Sequence, residues 1–181
     1  MNVTSENYVQ LATKTESPVT DEMKVRLSKS YNYLIDIFKK QVELGTELDI
    51  LKKYIYYGKG SIPTDSRNCS LKELEKVTDD SFIRLLHGVV GVTTEATEMI
   101  EALASYLLTE KELDLVNISE ENGDCYWYQA IINDVTNTEM NKVLQTNIEK
   151  LAARYPDKFS EQLAINRNLE VERTILEKGT N

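Results

Sequence analysis

The sequence contains one histidine, two cysteines, three prolines and seven glycines in 181 residues, and each scarcity removes a class of protein. So few turn formers cannot supply the many chain reversals of an all-β sandwich or barrel, so a mainly helical fold is expected. The lone histidine, His87, cannot build the paired Glu-x-x-His motifs of a di-iron carboxylate bundle, and it speaks against zinc hydrolase, Ser-His-Asp and Cys-His chemistry. It reads as a packing or hydrogen-bonding residue beside Gly88 and Gly91. Cys69 and Cys125 stand too far apart for a metal knuckle and are expected to be reduced packing residues. Positive charge is short as well: 21 Lys and Arg against 30 Asp and Glu leave a net charge of −9. That sign is wrong for wrapping a polyanion, so no nucleic-acid partner is expected. No run approaches the ~20 apolar residues of a membrane span. The opening Met1-Asn-Val-Thr-Ser-Glu also lacks the basic and apolar regions of a signal peptide, so the expectation is a cytoplasmic protein with no membrane partner. In that setting the glycosylation-type triplets at Asn2, Asn68 and Asn117 carry no meaning.

What is present is a soluble globular composition, 41% hydrophobic and 28% charged, in a chain long enough for one domain or a compact core with helical extensions. Residues 1–19 look like an arm or a short helix, and Thr20 can cap the helical stretch after it. Leu27, Tyr31, Leu34, Ile35, Phe38, Val42, Leu48, Leu51 and Ile55 recur at helical spacing, giving one long helix or two broken at Gly45. Gly58 and Gly60 stop the pattern, and the stretch to Asn68, with Pro63, Asp65 and Ser66, reads as loop. The chain therefore divides into an N-terminal arm and helical extension over 1–75 and a core over 76–181. From Phe82 to Leu108 a helical period runs unbroken through Leu85, Leu86, Val89, Val92, Ala96, Met99, Ile100 and Leu103. Ser119 is a natural N-cap for the next helix, which runs to about Val135. Thr136-x-x-Glu139 makes a capping box for another that ends near Tyr155-Pro156. The tail, 158–181, has the pattern of a helix docked on a neighbour.

Two pairs of acids carry the chemistry. Glu95-x-x-Glu98 lies on the central helix and Glu121-x-x-Asp124 on the next, and residues three apart share a helix face. At about 100° per residue, Glu121 and Asp124 fall with Tyr128, Ile131, Ile132 and Val135 on the stripe that must face the core. Ionised carboxylates there are costly unless paired or metal-bound. If the two helices pack side by side, four oxygen-bearing side chains converge, and hard oxygen donors suit magnesium. The pattern points to Glu95, Glu98, Glu121 and Asp124 as ligands of a metal that grips phosphate. On the third of these helices Asn147 shares the apolar side with Met140, Leu144, Ile148 and Leu151, flanked by Lys150 and Arg154. Those groups could hold phosphate oxygens, or the two cations could simply complement a helix C-terminus.

Leu86-His87-Gly88 through Gly91, Thr94-Glu95-Ala96-Thr97-Glu98, and Glu120-Glu121-Asn122-Gly123-Asp124 with Trp127-Tyr128 together resemble the MazG-like branch of the all-α nucleoside triphosphate pyrophosphohydrolases. That superfamily carries Glu-x-x-Glu, a spacer and Glu-x-x-Asp; here 22 residues separate Glu98 from Glu121. Asn147-x-x-Lys150-Leu151-x-x-Arg154-Tyr155-Pro156 with Lys158-Phe159 is similar to a later family segment, so the likeness spans roughly residues 82–176. The sequence departs from the family at Thr97, where Gly is frequent, and at Asn122, where Leu is common. It also lacks the basic aromatic run after the first acid pair; a similar run, Lys52-Lys53-Tyr54-Ile55-Tyr56-Tyr57-Gly58-Lys59, precedes the core instead. The resemblance implies an antiparallel helical bundle with extra N-terminal helices. The implied reaction is hydrolysis of a nucleoside triphosphate between the α and β phosphates, giving a monophosphate and pyrophosphate. It further implies Mg2+, with Mn2+ as a substitute, on the four acids, Glu95 or Glu98 as the base, and Glu120 as a helper. Asn147, Lys150 and Arg154 would contact phosphate oxygens, and Trp127 or Tyr128 would stack on a base or simply pack. A homodimer or homotetramer is expected. The alternatives are a non-hydrolysing nucleotide-binding or sequestering protein on the same fold, and a structural helical adaptor.

Overall fold

Helical periodicity uninterrupted by proline dictates the architecture. The computed structural model describes residues 2–62 and 70–180 and is all-α, with no strand among those residues. The loop positions Pro63, Asp65, Ser66 and Asn68, and the packing role expected of Cys69, lie outside the described residues. The helices are α1 (Ser5–Ala12, continued by a 3-10 turn at Thr13–Thr15), α2 (Asp21–Tyr57), α3 (Leu71–Val77), α4 (Asp80–Leu108), α5 (Leu115–Val135), α6 (Met140–Arg154), α7 (Glu161–Ile165) and α8 (Leu169–Thr180). They form two compact units, one of Arg26–Thr136 and one of Met1–Val25 with Asn137–Asn181. This division differs from the segments 1–75 and 76–181, because side chains on α2 bond to α4 across tens of residues of sequence.

In the unit Arg26–Thr136, α4 is the axis on which the other helices pack. Asp79 caps it, accepting from the Phe82 N–H at 2.8 Å. Glycines let α5 approach closely: a Cβ on Gly91 would stand 2.1 Å from Tyr128 Cδ1, and one on Gly88 2.7 Å from Ile132 Cγ1. α2 runs antiparallel to α4, with the Tyr31 hydroxyl donating to the Leu107 carbonyl at 2.9 Å, Gln41 to Thr97 Oγ1 at 3.1 Å, and the Tyr56 hydroxyl to the Ile83 carbonyl at 2.9 Å. Gly45 does not break α2. It is buried where α2 crosses α4, and a Cβ there would lie 2.2 Å from Thr97 Cγ2. The helix ends at Gly58, whose φ of +61° only glycine adopts easily, with its N–H on the Tyr54 carbonyl at 3.2 Å and the Lys59 N–H on the Lys53 carbonyl at 3.1 Å.

Two caps differ from expectation. α5 starts a turn before Ser119, because Asp114 accepts from the N–H groups of Val116 at 3.1 Å and Asn117 at 3.0 Å. Thr136 turns its hydroxyl back onto the Ile132 carbonyl at 2.8 Å, so the capping box with Glu139 does not form; Asn137, at φ +52°, redirects the chain instead.

The face α4 buries is small and polar: Gly88, Gly91, Thr94, Glu95, Thr97 and Ala104. Phe82, Val89 and Leu103, members of its apolar series, stay partly exposed.

The other unit is built on α6, against which α1 and α8 pack. The Val3 N–H donates to Gln145 Oε1 at 2.9 Å, the Tyr8 hydroxyl donates to Asn147 Oδ1 at 3.2 Å, and Gly179 lies against Thr146. Among the described residues no helix is long and apolar enough to cross a membrane.

Gly45→Ala adds a methyl where none fits, so urea denaturation should show a loss of about 1–3 kcal/mol despite the higher helix propensity of alanine. Adding Thr97→Gly should restore part of that loss.

Candidate metal centre

Within the unit Arg26–Thr136, α4 and α5 bring three of the four expected acids together. Glu95 and Glu121 are buried and Glu98 is exposed, and one oxygen from each lies within 4.8 Å of the others. The fourth, Asp124, is exposed and outside this cluster. An i+3 step turns about 300° around a helix, so a pair at that spacing cannot both point straight inward. Glu121 takes the inward position and Cys125, one turn on, takes the next.

The wall supplied by α2 holds the residues that motif reasoning passed over. Lys52, only 4% exposed, donates to Thr94 Oγ1 at 2.7 Å and Glu95 Oε1 at 3.0 Å, lies 3.3 Å from Asp49 Oδ1, and sits 5.2 Å from the centre of the Tyr128 ring. The second oxygen of Asp49 accepts from Lys53. On the far side, Asn117 Nδ2 donates to Glu121 Oε1 at 2.7 Å. No buried side-chain N or O among the described residues lacks a hydrogen-bond partner. The signal in the sequence was the displaced basic aromatic run, whose first residue is Lys52; Asp49, one turn earlier, had no motif to mark it.

This crowding shifts proton affinities, upward for Glu98 of α4 and Glu121 of α5 and downward for Asp49 beside the two lysines. Burial, then the charge of Glu98, pushes Glu121 up to about 7 against the pull of Asn117. Burial, then Glu95 and Asp49, raises Glu98. Burial pulls Lys52 down, but its bonds to Glu95 and Tyr128 raise it further, so it keeps its charge. Burial raises Asp49 while Lys53 and Lys52 bring it below its ordinary value.

Beyond Glu98 opens a cavity of about 370 Å³ whose lining includes Glu98, Glu101, Ser105, Lys111 and Asn117. On the Lys52 side lies a ring cluster centred on His87, stacked on Tyr56 at 4.0 Å and edge-on to Tyr57, Trp127 and Tyr128. Burial, then Lys52, lowers the His87 pKa. Tyr128 is buried against Gly91, whereas Trp127 is 55% exposed.

Asn147, Lys150 and Arg154 belong to the other unit. Asn147 accepts the Tyr8 hydroxyl and Lys150 is half-buried. Arg154 grips the buried Glu172, Nε to Oε1 at 2.8 Å and a terminal nitrogen to Oε2 at 2.6 Å, and Arg167 meets the same Oε2 at 2.6 Å. The two guanidiniums hold the Glu172 carboxyl down at about 2.

An all-oxygen set of clustered carboxylates fits a hard divalent ion. Oxygens around magnesium at about 2.1 Å stand roughly 3–4 Å apart, so a small side-chain adjustment closes the set. An all-helical fold centred on such acids is the class to which the site points. Residues 86–159 match the model of the MazG nucleotide pyrophosphohydrolase domain, and the three clustered acids lie inside that segment. No curated protein and no solved structure matches the chain.

Because Glu121 holds its proton to about pH 7 in the folded protein but only to its ordinary 4.5 when unfolded, metal-stripped protein should lose stability as pH rises between those values. Denaturation at pH 5 and pH 8 in chelator should show this loss in wild type and a smaller one in Glu121→Gln. Glu172 behaves oppositely: its contribution is present above 4.5 and lost as pH falls through about 2. Glu172→Ala leaves Arg154 and Arg167 facing each other and should cost about 3–5 kcal/mol, read as faster hydrogen exchange in α8.

Proposed function

We propose that the protein is a magnesium-dependent nucleotide pyrophosphohydrolase, cleaving a nucleoside triphosphate or related nucleotide to a monophosphate and pyrophosphate. The observation that carries this reading is the convergence of Glu95, Glu98 and Glu121 inside the segment matched to the MazG domain. Glu95, Glu98 and Glu121 would hold Mg2+ or Mn2+, with exposed Asp124 beside them. When bound, the ion neutralises phosphate charge and acidifies a water.

The protein's own residues divide the remaining tasks. Glu95 has one oxygen committed to Lys52 and Thr94. Glu98 is exposed, borders the open cavity and has a raised proton affinity, which makes it the better acceptor for the proton of the attacking water. Asn117 orients Glu121. Of the two aromatic candidates Trp127 is the exposed one, suited to stack on a nucleobase, while Tyr128 supports Lys52 and His87. Contact of Asn147, Lys150 and Arg154 with phosphate oxygens, action in the cytoplasm and assembly as a homodimer or homotetramer complete the proposal. Assembly is favoured by large apolar side chains left exposed on α2, α4 and α5, among them Tyr33, Leu44, Val89, Val116 and Tyr126.

The test is incubation with a panel of nucleotides and Mg2+, then separation of the products. Release of pyrophosphate with the monophosphate supports the enzyme, while stoichiometric retention of intact nucleotide supports a sequestering protein. Glu121→Gln should lower the rate by about two orders of magnitude or more with helical content unchanged by circular dichroism. Full activity in that variant removes Glu121 from the mechanism.

A further inference from the structure

The hydrolytic reading leaves one buried group without a task, the ammonium of Lys52. A lysine that is 4% exposed has given up its water, and it does so here for Glu95 at 3.0 Å and Thr94 at 2.7 Å. The charges around it can be counted. Fully ionised, as metal ligands must be, Glu95, Glu98 and Glu121 bring three negative charges, Asp49 is matched by Lys53, and Lys52 cancels one of the three. Two negative charges remain, and one divalent ion balances them.

We propose that Lys52 is a positioning residue of the metal centre, a resident cation that limits the nucleotide-free protein to one divalent ion and keeps that ion loosely held. The proposal rests on the reading of the three acids as a metal site. Lys52 acts through Glu95. It fixes Oε1 from the α2 side, and from behind that carboxylate it repels whatever cation the acids gather. With the local charge already balanced by one ion, a further ion enters only with phosphate oxygens of its own. A loosely held ion can also leave with the product, so each nucleotide meets a site whose charge has been reset.

The experiment titrates metal-stripped protein with Mn2+ at pH 8 without nucleotide, tracking free Mn2+ by electron paramagnetic resonance and the melting temperature by circular dichroism. Wild type should bind one Mn2+ per chain. Lys52→Met should bind Mn2+ about tenfold more tightly or better, and its metal-stripped form should melt below wild type. Lys52→Gln carries the same expectation and stands in if the methionine variant does not fold. Thr94→Val keeps every charge and should stay within about threefold of wild type. A purely structural lysine would lower the melting temperature and leave the Mn2+ constant alone. Unchanged or weaker binding in a folded Lys52 variant overturns the proposal, as does uptake of two ions per wild-type chain, which can be read even if neither variant folds. A wild type that takes up no Mn2+ sinks the metal site itself, a separate result from failure of the Lys52 role.

Discussion

Like charges held a few ångströms apart in a protein repel by about 3–4 kcal/mol per pair at an effective dielectric near 20, and the unit Arg26–Thr136 is organised around three of them. Glu95 and Glu121 are too deeply buried for water to screen them, so the fold answers with Lys52, Thr94 and Asn117 on the carboxylate oxygens. A bundle wanting only stability would bury leucine at those positions, since an ion pair in the interior gains little over a well-packed apolar side chain. The acids therefore point to a ligand. Lys52 shows how they are tolerated on the same protein.

Holding that arrangement requires α5 to lie close along α4 and α2 to meet α4 tightly at Gly45. Within this unit Gly45, Gly88 and Gly91 are places where backbone meets side chain with no room for a Cβ: Gly88 and Gly91 lie on α4 before Glu95, and Gly45 on α2 faces Thr97 between the two acids. At Gly91 the space is filled by the Tyr128 ring, over which the Lys52 ammonium sits. Packing and electrostatics are thus coupled at one ring. A side chain added at Gly91 would move Tyr128 and with it the cation on which Glu95 depends.

Much of this was legible in the sequence and some was not, for identifiable reasons. Periodicity without proline located α4 from Phe82 to Leu108, and the paired acids marked the faces of α4 and α5 that meet. Periodicity reports direction around one helix axis, so it assigned Asp124 to the inward stripe with Glu121, although the structure leaves Asp124 exposed. It also left open whether Gly45 breaks α2, because a glycine chosen for close approach to another helix looks the same in sequence as one chosen for a turn. Ser119 lost the cap of α5 to Asp114, which stands closer to the charged connection and satisfies two N–H groups at once. The basic aromatic run that opens with Lys52 was visible in the sequence, but which acid it meets was not, and Asp49 had no motif to mark it. Glu95, the partner of Lys52, lies 43 residues away, and no spacing rule links the two.

Each unit holds one buried ionic cluster, and the two clusters are unbalanced in opposite senses. Around the acids of Arg26–Thr136, three carboxylates face one ammonium; in the other unit one carboxylate, Glu172, faces two guanidiniums. Arg167 is substantially exposed at its end of the Glu172 pair, so an anion could meet the surplus there without first breaking the Arg154 fork. This bears on the phosphate contact proposed for Arg154. A guanidinium fully committed to a carboxylate is a poor phosphate ligand, but one that shares its carboxylate with a second arginine retains an unbalanced charge. The Glu172 pair therefore does not argue against that contact. It defines the condition under which the contact can form, namely that Arg167 keeps Glu172 neutralised while Arg154 turns to the ligand.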